Sequence, residues 1–190
     1  MGNRAHKLRL FVASSMTQSQ RKLITGYVKA VENSFRMVGQ DISFDVIAYG
    51  QSAMADLEEN TQELLNRKVA SSDIFILLAD NNTHIGAKTI EEYKTAHEQA
   101  VRSENTTSYI KVFLLKSTEE EPVNITYTNE DGVKESFEER LSRDSQRYIQ
   151  FVLRDNFEEF FKSWLQKIVV EGPDVIFSQS QLSYGNHLYK

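Results

Sequence analysis

Residues 72–100 carry the side chains best suited to chemistry: an apolar run, a polar loop over 80–88, and Thr89-Ile90-Glu91-Glu92-Tyr93, which opens a helix. The loop supplies Asp80, Asn81, Asn82, His84 and Lys88, all able to hydrogen-bond. Glu92 falls in the expected first turn, where the positive end of the helix dipole favours its ionised form. Such a carboxylate suits an electrostatic stabiliser or a hydrogen-bond acceptor better than a general acid. A second polar cluster, Ser14-Ser15-Met16-Thr17, follows an apolar run at residues 8–13. Ser14, Ser15 and Thr17, with the free amides of a following helix, suit a diphosphate. Plainer roles fit the same spacings. Thr89-x-x-Glu92 is a capping box in which Glu92 bonds back to the backbone at Thr89. Residues 14–17 also fit a strand-to-helix turn capped by Thr17, and Asp80-Asn81-Asn82 is an ordinary turn composition. Spacing leaves both readings of each open.

The elements that would position these groups alternate along the chain. Residues 8–13 read as a first strand, and Ile24, Tyr27, Val28, Val31, Phe35 and Val38 mark a helical face that Gly39 ends. Ile42, Phe44 and Val46 alternate with polar residues, as in an edge strand closed by Gly50. Leu57, Thr61, Leu64, Leu65 and Val69 stripe a second helix. Six apolar residues at 74–79 then predict a strand covered on both faces. Ile90, Tyr93, Ala96, His97, Ala100 and Val101 share a face of the third helix, and 110–115 form a fourth strand. Residues 116–146 read as an irregular insertion in which Val133, Phe137 and Leu141 support a short helix. Residues 148–153 predict a fifth strand, and Phe157, Phe160, Phe161, Trp164, Leu165, Ile168 and Val169 a last amphipathic helix.

Five strands alternating with helices predict an α/β, flavodoxin-like three-layer sandwich with a parallel sheet. The burial patterns give the order 2-1-3-4-5, with the topological switch point between strands one and three. The loops at 14–17 and 80–88 would meet there. Residues 1–172 are expected to form the domain, and 173–190 a tail or linker.

The bulk numbers fit such a domain. The chain has 190 residues, of which 40% are hydrophobic and 26% charged, as in ordinary soluble proteins. A net charge of −5 argues against a nucleic-acid partner, because phosphate contacts need clustered Lys and Arg. The absence of cysteine excludes disulfides, thiolate metal sites and a cysteine nucleophile. The apolar run at 8–13 is too short for a signal peptide or membrane span, so a cytoplasmic location without membrane contact is expected. The Asn-x-Thr triplets at Asn81, Asn105 and Asn124 are read as chance.

Several users of this fold lack their signatures here. Neither a dinucleotide Gly-x-Gly-x-x-Gly nor a phosphate-loop lysine follows strand one. A flavodoxin-type loop would want a glycine there. A receiver domain would match Asp80 at the end of strand three, but it also needs paired acids after strand one. No metal is expected, because His6, His84, His97 and His187 are scattered and His97 suits a half-buried structural role.

Two separated motifs do resemble a family. Leu10-Phe11-Val12-Ala13-Ser14-Ser15 is similar to the opening strand of TIR-like domains. Ser72-Asp73-Ile74-Phe75-Ile76-Leu77-Leu78 resembles their "S-D-hydrophobic" strand, and Glu92-Tyr93-Lys94-Thr95-Ala96 the start of the following helix. The likeness covers residues 7–116 and is clearest to bacterial TIR-like domains of defence or signalling proteins. It implies an enzyme acting on the ribose side of an N-glycosidic bond, as in TIR NADases and nucleoside deoxyribosyltransferases. Glu92 would be the catalytic carboxylate, NAD or another nucleotide the substrate, and no separate cofactor is implied. Asp80, Asn81 and Asn82 would order ribose hydroxyls, and His84 or Lys88 would close over the ligand. Where TIR enzymes often carry Ser-x-Trp-Cys, this chain has Gly86-Ala87-Lys88-Thr89, which leaves base stacking to Tyr49 or Tyr93. The resemblance also implies self-association or a further domain of a longer protein. Its alternatives are a non-catalytic interaction module and a nucleotide-sensing domain.

Overall fold

The six apolar residues at 74–79 become a strand enclosed on both faces, each of them at most 2% exposed. The computed structural model describes residues 6–14, 18–48, 61–102 and 109–171. In chain order the elements are β1 (His6–Ser14), α1 (Gln18–Met37), β2 (Ile42–Ala48), α2 (Thr61–Ala70), β3 (Ile74–Asp80), β4 (His84–Ile85) and α3 (Ala87–Arg102). They continue with β5 (Tyr109–Lys116), β6 (Thr126–Thr128), β7 (Lys134–Ser136), α4 (Phe137–Ser145), β8 (Ile149–Leu153) and α5 (Phe157–Glu171). The main sheet has the order β2-β1-β3-β5-β8, and every pairing in it is parallel. This is the order 2-1-3-4-5 read from burial, with β5 and β8 as its fourth and fifth strands.

Side-chain alternation divides the interior into two cores. Leu10, Val12, Ile76, Leu78 and Phe113 face α1 and α5. Phe11, Ala13, Phe75, Leu77 and Val112 face α2, α3 and α4. The sheet is therefore the middle of three layers. Phe113 anchors the first core, with the rings of Phe157, Phe161 and Trp164 centred 5.6, 6.0 and 5.1 Å away. Removing that ring leaves a void that close packing cannot fill. Phe113→Ala should therefore cost about 3–5 kcal/mol in urea unfolding.

Two local features show how the ends are finished. The helix α1 stops in a Schellman motif: Gln40 N–H donates to Phe35 C=O and Gly39 N–H to Arg36 C=O, with Gly39 at φ 77°. A non-glycine residue would strain at that φ. At the sheet edge, the Phe44 N–H of β2 donates to the Glu32 carboxylate of α1.

The structure differs from the sequence reading in several places. Residues 116–146 supply β6 and β7 of a small second sheet that β4, from the polar loop at 80–88, completes: β4 pairs in parallel with β6, and β6 pairs antiparallel with β7. The helix α4 begins at Phe137, and Val133 lies before it, 54% exposed. Ser136 caps α4 by accepting from the Glu139 N–H. Tyr148 belongs to a short 3-10 turn, so the last strand starts at Ile149. Val101 is 70% exposed, because it falls off the buried stripe near the end of α3. Leu57 and residues 173–190 lie outside the described residues.

Candidate functional site

The carboxyl ends of β1 and β3 lie side by side, with Ser14 opposite Leu78. From these ends the chain leaves toward different layers: α1 packs on one face of the sheet and α3 on the other. This divergence is the switch point of an open α/β sheet, where ligands bind. Alternation turns Ser14 and Asp80 to the same face, because Val12 and Leu78 belong to the core under α1 and α5. Ser14 is 7% exposed. Asp80 stands two residues beyond Ser14's partner on the neighbouring strand, roughly 8 Å between Cα atoms at standard strand spacings.

Glu92 sits differently from the sequence expectation. The Ile90 N–H donates to Gly86 C=O at 3.1 Å, so α3 starts at Ala87 and Thr89 is already inside it. Glu92 is therefore in the second turn, and Thr89 is not the N-cap of a capping box. The helix dipole, which fades within the first turn, favours its ionised form less than a first-turn position would. Glu92 is nonetheless only 4% exposed, whereas the neighbouring Glu91 is exposed and accepts from the Asn66 side chain of α2. The rotation of α3 is fixed next door. Tyr93 is fully buried, and its hydroxyl donates to Asp144 of α4 at 2.8 Å. Burial, then that carboxylate, raises the Tyr93 phenol far above its ordinary range.

The polar loop is tied to the segment that follows β5. Asn81 is buried and acts as a hub: its side chain donates to Pro122 C=O and accepts from Asn124 N–H, at 2.9 and 2.8 Å. Asn82, at φ 61°, donates to Glu121 and accepts from the Asn124 side chain. His84 lies in β4, with its two ring nitrogens 3.1 and 3.2 Å from the hydroxyls of Thr126 and Thr128. Lys88 is exposed in the first turn of α3. Asn82 and His84 thus hold the second sheet to the end of β3, while Ser14 and Asp80 stay at the switch point. Ser15, Thr17 and Tyr49 lie outside the described residues. Asn81→Ala removes two part-buried hydrogen bonds, to the backbone of Pro122 and Asn124, at a cost of about 1–3 kcal/mol. Hydrogen exchange should show β6 and β7 losing protection before β5.

Two features were missed in the sequence. Arg154, just past β8, reaches across the end of β5 to Asp80, with Nη2 3.0 Å and Nε 3.2 Å from the same carboxylate oxygen. In a parallel sheet every strand ends at the same edge, so a cation directly after the fifth strand was the available signal. The second is a groove of about 460 Å³ between the β6–β7 hairpin and α4, lined by Tyr127, Asn129, Glu135, Arg140, Arg143 and Asp144 among others. Arg140 lies over the rings of Tyr127 and Tyr93, 5.5 and 6.0 Å from their centres. It also stands 3.4 Å from Asp144, too poorly aligned for a hydrogen bond through Nε. Glu135 accepts from Tyr127, Asn129 and Arg143, which lower its carboxyl pKa.

Against known proteins, no family model and no curated protein matches the chain. Among solved structures it is similar to a TIR domain in the crystal structure of the RPS4 and RRS1 TIR domain heterodimer. That likeness covers 88% of this chain and 99% of that one, at 9% identity and a TM-score of 0.46. Values at that level say nothing about activity or partners. Among the described residues, no helix is long and apolar enough to cross a membrane, and no group of three His, Asp or Glu is arranged to hold a metal ion.

Proposed function

We propose that this chain is a TIR-like domain that takes a nucleotide at the carboxyl edge of β1 and β3 and hydrolyses its N-glycosidic bond. NAD is the first substrate to test. The observation that carries the reading is the burial of Glu92, 4% exposed on the helix that leaves β3. Carboxylates are seldom fully buried. Those that are cost free energy to keep charged and concentrate at functional sites.

In this reading the bond from ribose C1′ to the nicotinamide nitrogen breaks, and its electron pair leaves with the ring, which becomes neutral. Positive charge develops on the ribose, and the Glu92 carboxylate stabilises it electrostatically. Water then adds at C1′ and releases a proton to solvent. Ser14, Ser15 and Thr17 would receive the diphosphate, Asp80 the ribose hydroxyls, and Tyr49 the base; Lys88 would close over the ligand, while Asn82 and His84, committed to the second sheet, would support the site from behind. The domain would act in the cytoplasm, in bacterial defence or signalling, and work assembled with further copies or with another domain.

Nicotinamide release from NAD tests this directly, measured at low protein concentration and again at concentrations that favour assembly. Release that rises with assembly is expected. No release in either state would overturn the enzymatic reading, and NAD binding without release would move it to a nucleotide sensor.

A further inference from the structure

Resting on the proposal that the switch point takes a nucleotide, we infer that Arg154 binds a phosphate of the ligand, so that the site selects phosphorylated molecules over nucleosides. Three observations lead there. Arg154 sits at the carboxyl edge of the sheet, on the face toward which Ser14 and Asp80 point. Its fork is only partly engaged: Nε and Nη2 both meet a single oxygen of Asp80, and half of the side chain is exposed. Among the described residues the remaining guanidinium donors meet no further partner, which leaves them for the planar, two-point contact that arginine makes with phosphate.

The ion pair with Asp80 then acts as a resting position. With the arginine half-exposed to solvent the pair is only weakly held, so a doubly charged diphosphate can recruit the guanidinium at little cost. Asp80 holds Arg154 in reach of the crevice while the site is empty. On binding it gives up the guanidinium and is itself free to accept from a ribose hydroxyl. The phosphate subsite would thus be completed from the last strand, 74 residues away from Asp80 in sequence.

Calorimetry with ADP-ribose and with adenosine tests the inference on the full chain, on Arg154→Gln and on Arg154→Lys. The wild type should bind ADP-ribose at least ten-fold tighter than adenosine. Arg154→Gln should abolish that preference without changing adenosine binding, and Arg154→Lys should restore part of it. An unchanged preference in Arg154→Gln, or equal loss of both ligands, would overturn the inference, as would a wild type that does not prefer ADP-ribose. Its failure is separable from failure of the enzymatic reading. Nicotinamide release that is indifferent to Arg154 sinks only the phosphate contact; Arg154-dependent ADP-ribose binding without release sinks only the hydrolysis.

Discussion

Glu92→Gln is expected to lower nicotinamide release by about 10²–10³-fold, the usual cost of removing one preorganised electrostatic group from a transition state. The substitution keeps the shape of the side chain and removes only its charge. Glu92 is enclosed, so the loss cannot be made good by bulk water. Unfolding in urea should shift by about 1 kcal/mol at most, because an amide of the same size is cheaper to bury than a carboxylate. Glu91→Gln is the control. That neighbour is exposed and bonded to Asn66 of α2, and its loss should leave turnover unchanged. Activity that survives in Glu92→Gln would remove this residue from the mechanism.

Lys111→Met should stabilise the protein by about 2–3 kcal/mol at pH 7. Lys111 lies on β5, 5% exposed, on the face it shares with Phe113. Burial alone brings its pKa down from 10.5 to about 8, and no carboxylate among the described residues offsets it. Below pH 8 the amine is charged in both the folded and unfolded chain, and the folded state bears the whole desolvation penalty. Between pH 8 and 10.5 the unfolded chain binds the extra proton, so wild-type stability rises with pH through that window. The gap between wild type and Lys111→Met should therefore be widest at pH 7 and nearly closed by pH 10.5. Urea unfolding at the two pH values measures it. A variant less stable at pH 7 would mean that the amine holds a partner worth more than its burial costs.

The sheet order was legible because each strand's surroundings leave a mark in its composition. A strand covered on both faces needs no polar residue, and 74–79 has none. A strand with one side toward solvent alternates, as Phe44 and Asp45 do. Strands of two or three residues have no period to read, so β6 and β7 were hidden in what looked like an irregular insertion and β4 in the polar loop at 80–88. The start of α3 was misplaced for a different reason. Thr89 has the chemistry of a cap, but the helix begins after Gly86, which offers no side chain to signal it. The site was legible as a location and not as a set of contacts. Ser14, Asp80 and Glu92 could be assigned to strand ends and a helix, but the partner of Asp80 is a residue 74 positions away. Nothing in local spacing carries that information.

The Glu32 carboxylate on the Phe44 amide has a consequence for how copies of this chain can stack. The two rims of the main sheet are unlike. At the β2 rim, an incoming strand would first have to displace a carboxylate that already occupies an amide, and like charge would repel an acidic newcomer. Among the described residues β8 has no carboxylate on a backbone amide; there the neutral Gln150 side chain donates to the Phe151 C=O. Growth that joins one rim to the other would run on into a filament; joining β8 to β8 closes on itself as a pair. One glutamate on a neighbouring helix thus biases any strand-mediated association toward a finite stoichiometry.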